Sequence, residues 1–442
     1  MALGSSLLTT VLLALAVAAS PVQVNKPLVS LPLVRRTNST GLSNLLANDQ
    51  ARARNLKERA QAKLEGRAAS VEATNVVDTY VVSVGVGSPA TQYSLLVDTG
   101  SSNTWLGADK KYTKTSTSKD TGSQVSVTYG SGSFSGEEYT DTVTLGDGLT
   151  ITGQSIGVAS SAQGFSGVDG ILGVGPVALT QGTLQSSDDT IPTVTDNLLS
   201  QGTISTEVLA VSFEPATSES DANGELTFGG TDSSKFTGSI NYVPITSTSP
   251  ASEYWGIDQS ISYGSKSILS STAGIVDTGT TLVLIASGKW LNTVNASGTT
   301  LTNMHRRRVQ RVQVRCWWDR GPEHRSPSHL ELAVQQPRYP QLQDRRRTSR
   351  PLSPFQRALI SVRQTTYGLT ANAQIWPRSL NSAIGGTADD IYLVVNSIGS
   401  ASGEGLDFIN GYAFLERFYS VYDTTNSQVG FAETQYTSAT SN

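Results

Sequence analysis

The stretch Leu95-Leu96-Val97-Asp98-Thr99-Gly100-Ser101-Ser102-Asn103-Thr104-Trp105 returns 179 positions later as Gly274-Ile275-Val276-Asp277-Thr278-Gly279-Thr280-Thr281-Leu282-Val283-Leu284. In each copy apolar residues run into Asp-Thr-Gly, small hydroxyl residues follow, and apolar character resumes. An acid bracketed in this way is a carboxylate held on a loop at the edge of a core. Burying a charge is costly unless it is hydrogen-bonded. The neighbouring Thr and Ser supply hydroxyls, and Gly lets backbone approach closely. One such loop could be a structural Asx-turn. Two copies point to a duplicated lobe, with one carboxylate contributed by each half.

The surrounding sequence reads as β-structure. Tyr80 to Gly87, a Ser88-Pro89 turn and the run from Tyr93 form a strand–turn–strand unit leading into the first Asp-Thr-Gly. Val125 to Gly136 is a second hairpin, with a Gly/Ser-rich tip at Gly130, Ser131 and Gly132. Val168-Asp169-Gly170-Ile171-Leu172-Gly173-Val174-Gly175 has its counterpart in Leu406-Asp407-Phe408-Ile409-Asn410-Gly411-Tyr412. Both read as buried Gly-containing strands that support a site and perform no chemistry. A chain with 41 Gly and only 15% charged residues suits an all-β protein with many turns.

These motifs resemble those of the pepsin-like aspartic proteases, in particular the secreted fungal ones. The resemblance covers about Tyr80 to Ser287 and again Leu369 to the C-terminus. It implies an all-β, bilobal fold with the cleft between two related lobes, Asp98 and Asp277 facing each other across it. Two carboxylates a few ångströms apart cannot both ionise, so one stays protonated. The charged one can take a proton from water while the protonated one polarises the scissile carbonyl. The resemblance further implies that Thr99 and Thr278 cross-link the loops, and that Ser101 and Thr280 orient the carboxylates or contact substrate. Gly100 and Gly279 leave room for backbone. Tyr129, Gly130 and Ser131 belong to a flap that closes over substrate, with Trp105 behind Tyr129. By residue type alone Tyr129 reads as a core or cross-strand aromatic; an aromatic hydroxyl on a Gly-hinged hairpin also suits sealing a site. The crossing between lobes is expected near Asn241, giving lobes of residues 71–241 and 242–442.

The net charge of −4 hides three unlike regions. Residues 1–20 carry a thirteen-residue apolar run, Leu7 to Ala19, too short to span a bilayer, and Ala16-Val17-Ala18 offers a small-x-small cleavage site. This reads as a signal peptide, with a buried N-terminal helix as the alternative. Residues 21–70 read as a basic prosegment: Pro21 to Arg67 holds nine basic residues against three acids, and Ser43 to Glu65 has helical composition. It is either a solvated amphipathic helix of the mature protein or, as the resemblance favours, an intramolecular inhibitor lying over an acidic cleft and loosening as cleft acids protonate. Asn38-Ser39-Thr40 within it is a glycosylation acceptor.

His305 to Arg363 breaks the pattern. It holds 14 of the 22 Arg, all three His, the single Cys (Cys316) and no Lys. No strand periodicity is apparent, and β-pattern is expected to resume by Thr370. The segment reads either as a basic insert for an acidic partner or as translated intron or out-of-frame sequence; the Arg-without-Lys bias favours the latter. Outside the two basic regions, 29 acidic residues face 9 basic ones. A balance of −20 suits a protein working in acid, where self-repulsion falls.

The sequence therefore predicts a secreted aspartic endopeptidase made as a zymogen. Asp98 and Asp277 form its dyad, and protein or peptide chains are its substrates. Neither metal nor cofactor is expected, nor any nucleic-acid or membrane partner, and a monomer is anticipated. The alternatives are a non-catalytic protease-like binding protein and a folding-impaired product of the aberrant segment.

Overall fold

The computed structural model describes residues 28–37, 45–64, 78–130, 132–146, 149–215, 220, 222–289, 314–315, 358–386 and 391–440. The signal-peptide reading, the glycosylation acceptor, Ser131, the end of the prosegment and most of the Arg-rich stretch lie outside these residues.

The chain opens with strand β1 (Val29–Thr37) and helix α1 (Leu45–Leu64). Eight strands follow: β2 (Asp78–Val86), β3 (Thr91–Asp98), β4 (Trp105–Leu106), β5 (Lys119–Tyr129), β6 (Gly132–Thr144), β7 (Thr150–Gln163), β8 (Gly170–Gly173) and β9 (Val208–Ser212). Then come β10 (Gly224–Phe228), β11 (Thr237–Pro244), β12 (Gly256–Tyr263), β13 (Lys266–Val276), β14 (Val283–Ile285), β15 (Val314–Arg315), β16 (Ala358–Val362) and β17 (Thr365–Leu369). The last are β18 (Ile391–Tyr392), β19 (Val395–Ser397), β20 (Phe408–Asn410), β21 (Phe418–Asp423) and β22 (Gln428–Glu433). The protein is mostly β-sheet, as the residue pattern implies.

Thirteen strands join in the order β11-β22-β21-β9-β10-β1-β2-β3-β8-β4-β7-β6-β5. The hinge of this sheet is β1. Its first half, Val29 to Leu33, pairs with β10, and its second half, Val34 to Thr37, pairs with β2. Leu31, Leu33 and Arg35 point inward on alternate positions, and the guanidinium of Arg35 lies 5.1 Å from the centre of the Tyr412 ring. A buried cation over an aromatic face keeps part of the interaction it loses on leaving water.

The duplication read from sequence is visible as repeated topology. In the first lobe β3 runs parallel to β8, β8 antiparallel to β4, and β4 parallel to β7. In the second, β13 runs parallel to β20, β20 antiparallel to β14, and β14 parallel to β19. Each Asp-Thr-Gly thus emerges beside its Gly-containing strand: Asp98 is in register with Gly173, and Val276, just before Asp277, with Asn410. The anticipated crossing point, Asn241, sits inside β11 and pairs with Phe431 of β22.

One expectation needs correcting. The Arg-rich stretch reads as patternless to Arg363, yet Val314–Arg315 forms β15, parallel to β18, and its last residues form β16, which pairs with β12 on one side and β17 on the other. Ala358, Ile360 and Val362 are buried while Leu359 and Ser361 are half-buried, the alternation of a sheet with one core face. Five residues are a short signal, and flanking arginines masked it. Arg363 itself takes a positive φ of 52° in the tight turn to β17.

Candidate active site

Both predicted acids are fully buried. Their immediate surroundings are nearly superimposable in chemistry. The Gly100 N–H donates to Asp98 Oδ1 at 2.9 Å and Ser101 Oγ to Asp98 Oδ2 at 2.5 Å. The Gly279 N–H donates to Asp277 Oδ1 at 3.0 Å and Thr280 Oγ1 to Asp277 Oδ2 at 2.5 Å. These donors replace the water each carboxylate has lost.

The two loops are locked to each other by the threonines. The Thr99 N–H donates to Thr278 Oγ1 and the Thr278 N–H to Thr99 Oγ1, each at 3.0 Å. Each hydroxyl in turn donates across the lobe boundary, Thr99 Oγ1 to the Val276 carbonyl at 3.3 Å and Thr278 Oγ1 to the Val97 carbonyl at 3.0 Å. All four bonds are buried and join residues 177 to 181 positions apart. The glycines explain how close the loops come. A Cβ on Gly100 would lie 2.6 Å from Asp277 Oδ1, and one on Gly279 would lie 2.6 Å from Asp98 Oδ1. Each loop's glycine makes room for the other loop's acid.

Behind the first loop, Trp105 stacks on Phe134 with ring centres 4.3 Å apart and meets Phe165 edge-on at 4.9 Å. Tyr129 lies 6.4 Å from Trp105, at the end of the β5–β6 hairpin, where it pairs with Gly132. The ring is buried, and burial pushes its hydroxyl well above the ordinary phenol range. The predicted site residues from Asp98 to Thr280 therefore converge, apart from Ser131, which lies outside the described residues.

Sequence reasoning missed the group at the centre. Arg52, on α1, puts its guanidinium between the two acids. Nε donates to Asp277 Oδ2 at 2.7 Å, and Nη2 donates to both Asp277 Oδ1 at 2.9 Å and Asp98 Oδ1 at 2.6 Å. Burial alone would push both carboxyls up. At Asp277 the charge and hydrogen bonds of Arg52, with those of Thr280 and Gly279, outweigh it and hold the group below the usual carboxylate range. At Asp98 burial wins, the Asp277 charge adds to it, and the group sits above that range. The pair is therefore split, as two adjoining acids must be.

Helix α1 is seated, not solvated. Only Ala47, Arg54, Glu58 and Gln61 are exposed from Leu45 to Gln61, a narrow stripe at helical spacing. Asp49, one turn before Arg52, accepts from the N–H groups of Leu282 at 2.8 Å and Thr281 at 3.4 Å. Burial pushes its carboxyl up to about 7 despite those donors. Tyr254 donates its hydroxyl to the Leu56 carbonyl at 2.8 Å. The hairpin tip rests on the helix: a Cβ on Gly130 would lie 2.1 Å from Arg52 Cα. Arg52 could have been noticed only as one of nine basic residues; nothing in its local sequence distinguishes it from Arg54 or Arg59.

With this geometry in hand the relatives can be named. A model of the eukaryotic aspartyl protease family matches residues 79–318. The chain belongs to that family. It is an aspartic protease, a hydrolase. It is 62% identical over 377 residues to polyporopepsin of Irpex lacteus, spanning 85% of this chain and all of that protein. The crystal structure of the aspartic proteinase from Irpex lacteus superposes with a TM-score of 0.71 at 55% identity, covering 94% of this chain and 100% of that one. Pepsin A of Sus scrofa is 31% identical over 290 residues, 60% of this chain and 71% of that protein. The protease's family match ends at 318, within the Arg-rich stretch.

Proposed function

We propose that this protease is a secreted endopeptidase made as a zymogen, with Asp98 and Asp277 as its dyad. Residues 21–70 act as its intramolecular inhibitor. The observation that carries this reading is the single guanidinium of Arg52 held between two buried, equivalently supported carboxylates. A cation in that position occupies the space where a water shared by the dyad would sit.

Once α1 leaves, the ionised carboxylate takes a proton from the water as it attacks the scissile carbonyl carbon. The protonated one donates to the carbonyl oxygen. The resulting tetrahedral species collapses as the leaving amine gains a proton, and the C–N bond breaks. Gly100 and Gly279 N–H groups with Ser101 and Thr280 hydroxyls hold the carboxylates in place throughout. Preset donors of this kind need little reorganisation during reaction. The β5–β6 hairpin closes the site from above, and the −20 balance of the mature body suits work in acid. Secretion rests on the apolar run at Leu7 to Ala19 and the small-x-small site at Ala16-Val17-Ala18.

Incubation of the full chain in acid with a denatured protein tests this. Cleavage should appear after loss of the N-terminal segment, fade toward neutrality, and be blocked by a statine-type inhibitor whose hydroxyl takes the water's place. Cleavage abolished by a chelator and untouched by the inhibitor would overturn the dyad.

A further inference from the structure

Helix α1 also meets a part of the second lobe that the reaction does not use. Gln50 and Lys57, seven residues apart and so on one face of the helix, both point to the segment Ser397–Gly405. Gln50 Nε2 donates to the Ser397 carbonyl at 2.9 Å. Lys57 Nζ donates to Ser400 Oγ at 2.8 Å and to Glu404 Oε2 at 2.6 Å. Arg52, five residues before Lys57, faces the dyad from another side. The segment therefore forms a part of the cleft rim that α1 covers, separate from the residues that hold the dyad.

This rim is a built structure. At its start the Ile398 N–H donates to the Ile285 carbonyl and the Ser287 N–H to the Ser400 carbonyl, at 2.8 and 2.9 Å. At its end the fully buried Asp407 accepts from Ser402 Oγ at 2.6 Å and from the Gly403 N–H at 2.8 Å, and Thr272 Oγ1 donates to it at 2.9 Å. Gly405, at φ 78°, packs where a Cβ would lie 2.0 Å from the Ser249 carbonyl. Glu404 projects from between two anchored points with its side chain half exposed.

We propose that Glu404 and Ser400 form a cation subsite of the substrate cleft, filled by Lys57 in this state and by a lysine or arginine of the substrate after α1 leaves. Lys57 reaches the pair through its four-carbon stem, and a lysine or arginine of an extended substrate offers comparable reach and the same charge. The pair is partly exposed, so the preference it gives is modest, roughly two- to fivefold in kcat/KM.

The proposal rests on Asp98 and Asp277 being the dyad, and the test separates the two. The full chain is allowed to process itself in acid. It is then assayed on quenched peptides that carry lysine or the uncharged norleucine at each position in turn around one scissile bond. Cleavage of the norleucine peptides reports the dyad; the lysine-to-norleucine ratio within each enzyme reports the subsite. Wild type should show a ratio of about two to five at one position, Glu404→Gln a ratio near one there, and Glu404→Lys a preference for glutamate over glutamine at the same position. A wild-type ratio near one at every position, or a ratio unchanged in Glu404→Gln, would overturn it.

Discussion

Arg52 and Asp277 meet side-on, two guanidinium nitrogens against two carboxylate oxygens at 2.7 and 2.9 Å, while Asp98 receives only one of those nitrogens. A rigid fork suits this task better than a compact ammonium, which cannot present parallel donors to one acid while reaching the other. Removing one partner of a buried pair costs about 3 kcal/mol or more, over a hundredfold in an equilibrium. Arg52→Ala should therefore leave the helix weakly docked. The intact chain should then cleave a small quenched peptide at a pH where unprocessed wild type is silent, with Arg52→Lys in between. A silent, unprocessed Arg52→Ala chain would show that the helix blocks by bulk alone.

The acids around Arg52 set a pH window for docking. Asp277 is held below its ordinary range in part by the charge of Arg52, so its contribution to docking is present while it is ionised and is lost as pH falls through the lowered value. Asp49 is pushed the other way, to about 7, so its contribution is full in acid and lost as pH rises through about 7. Inhibition of processed enzyme by a synthetic peptide spanning residues 45–64 should be strongest between these limits and weaken on both sides. Asp49→Asn keeps one acceptor oxygen, enough for the shorter bond from Leu282, but loses the second, so it should bind somewhat more weakly throughout and flatten the neutral limb. An inhibition constant that improves steadily above pH 7 in wild type would contradict this.

Much of the site was legible because its chemistry is local. Asp98, Thr99, Gly100 and Ser101 sit together in sequence, and so do Asp277 to Thr280, so residue types and a repeat distance suffice to place them. The strand–turn–strand units were legible for the same reason. Arg52 was not, because its partners lie 46 and 225 positions away. Summed charge suggested a diffuse attraction of residues 21–67 to the cleft. The fold instead gives individual bases separate tasks: Arg52 to the dyad, Lys57 to Glu404, Arg35 over Tyr412. Strand β16 was hidden because a five-residue alternation flanked by arginines is too short to stand out.

The threonine pair should matter more to the whole molecule than to one loop. Thr278→Val removes the hydroxyl that accepts from the Thr99 N–H and leaves that buried donor unpaired, a loss of about 1–3 kcal/mol. Its melting temperature should fall and kcat drop, with Thr99→Val behaving alike. Because both residues share one network, the double variant should lose less than the sum of the singles. Additive losses measured by thermal unfolding would argue that the two loops are supported separately.

The Arg-rich composition carries its own expectation, with its end moved back to before Ala358. Tryptic digestion of the active enzyme should yield peptides from β16 and β17 but not the short Arg-ended fragments of 305–357. Their recovery from active enzyme would make that stretch a genuine part of the protease and a basic arm for an acidic partner.

The most direct test of the account is acid incubation of the Asp277→Asn chain beside wild type, following release of the N-terminal segment and hydrolysis of a quenched peptide. Wild type should process itself and hydrolyse the peptide. The variant should do neither on its own, and after a trace of wild type has removed its N-terminal segment it should still hydrolyse at least about a hundredfold more slowly. Hydrolysis by the processed variant at a rate near that of wild type would contradict the assignment of the two Asp-Thr-Gly loops as one catalytic site.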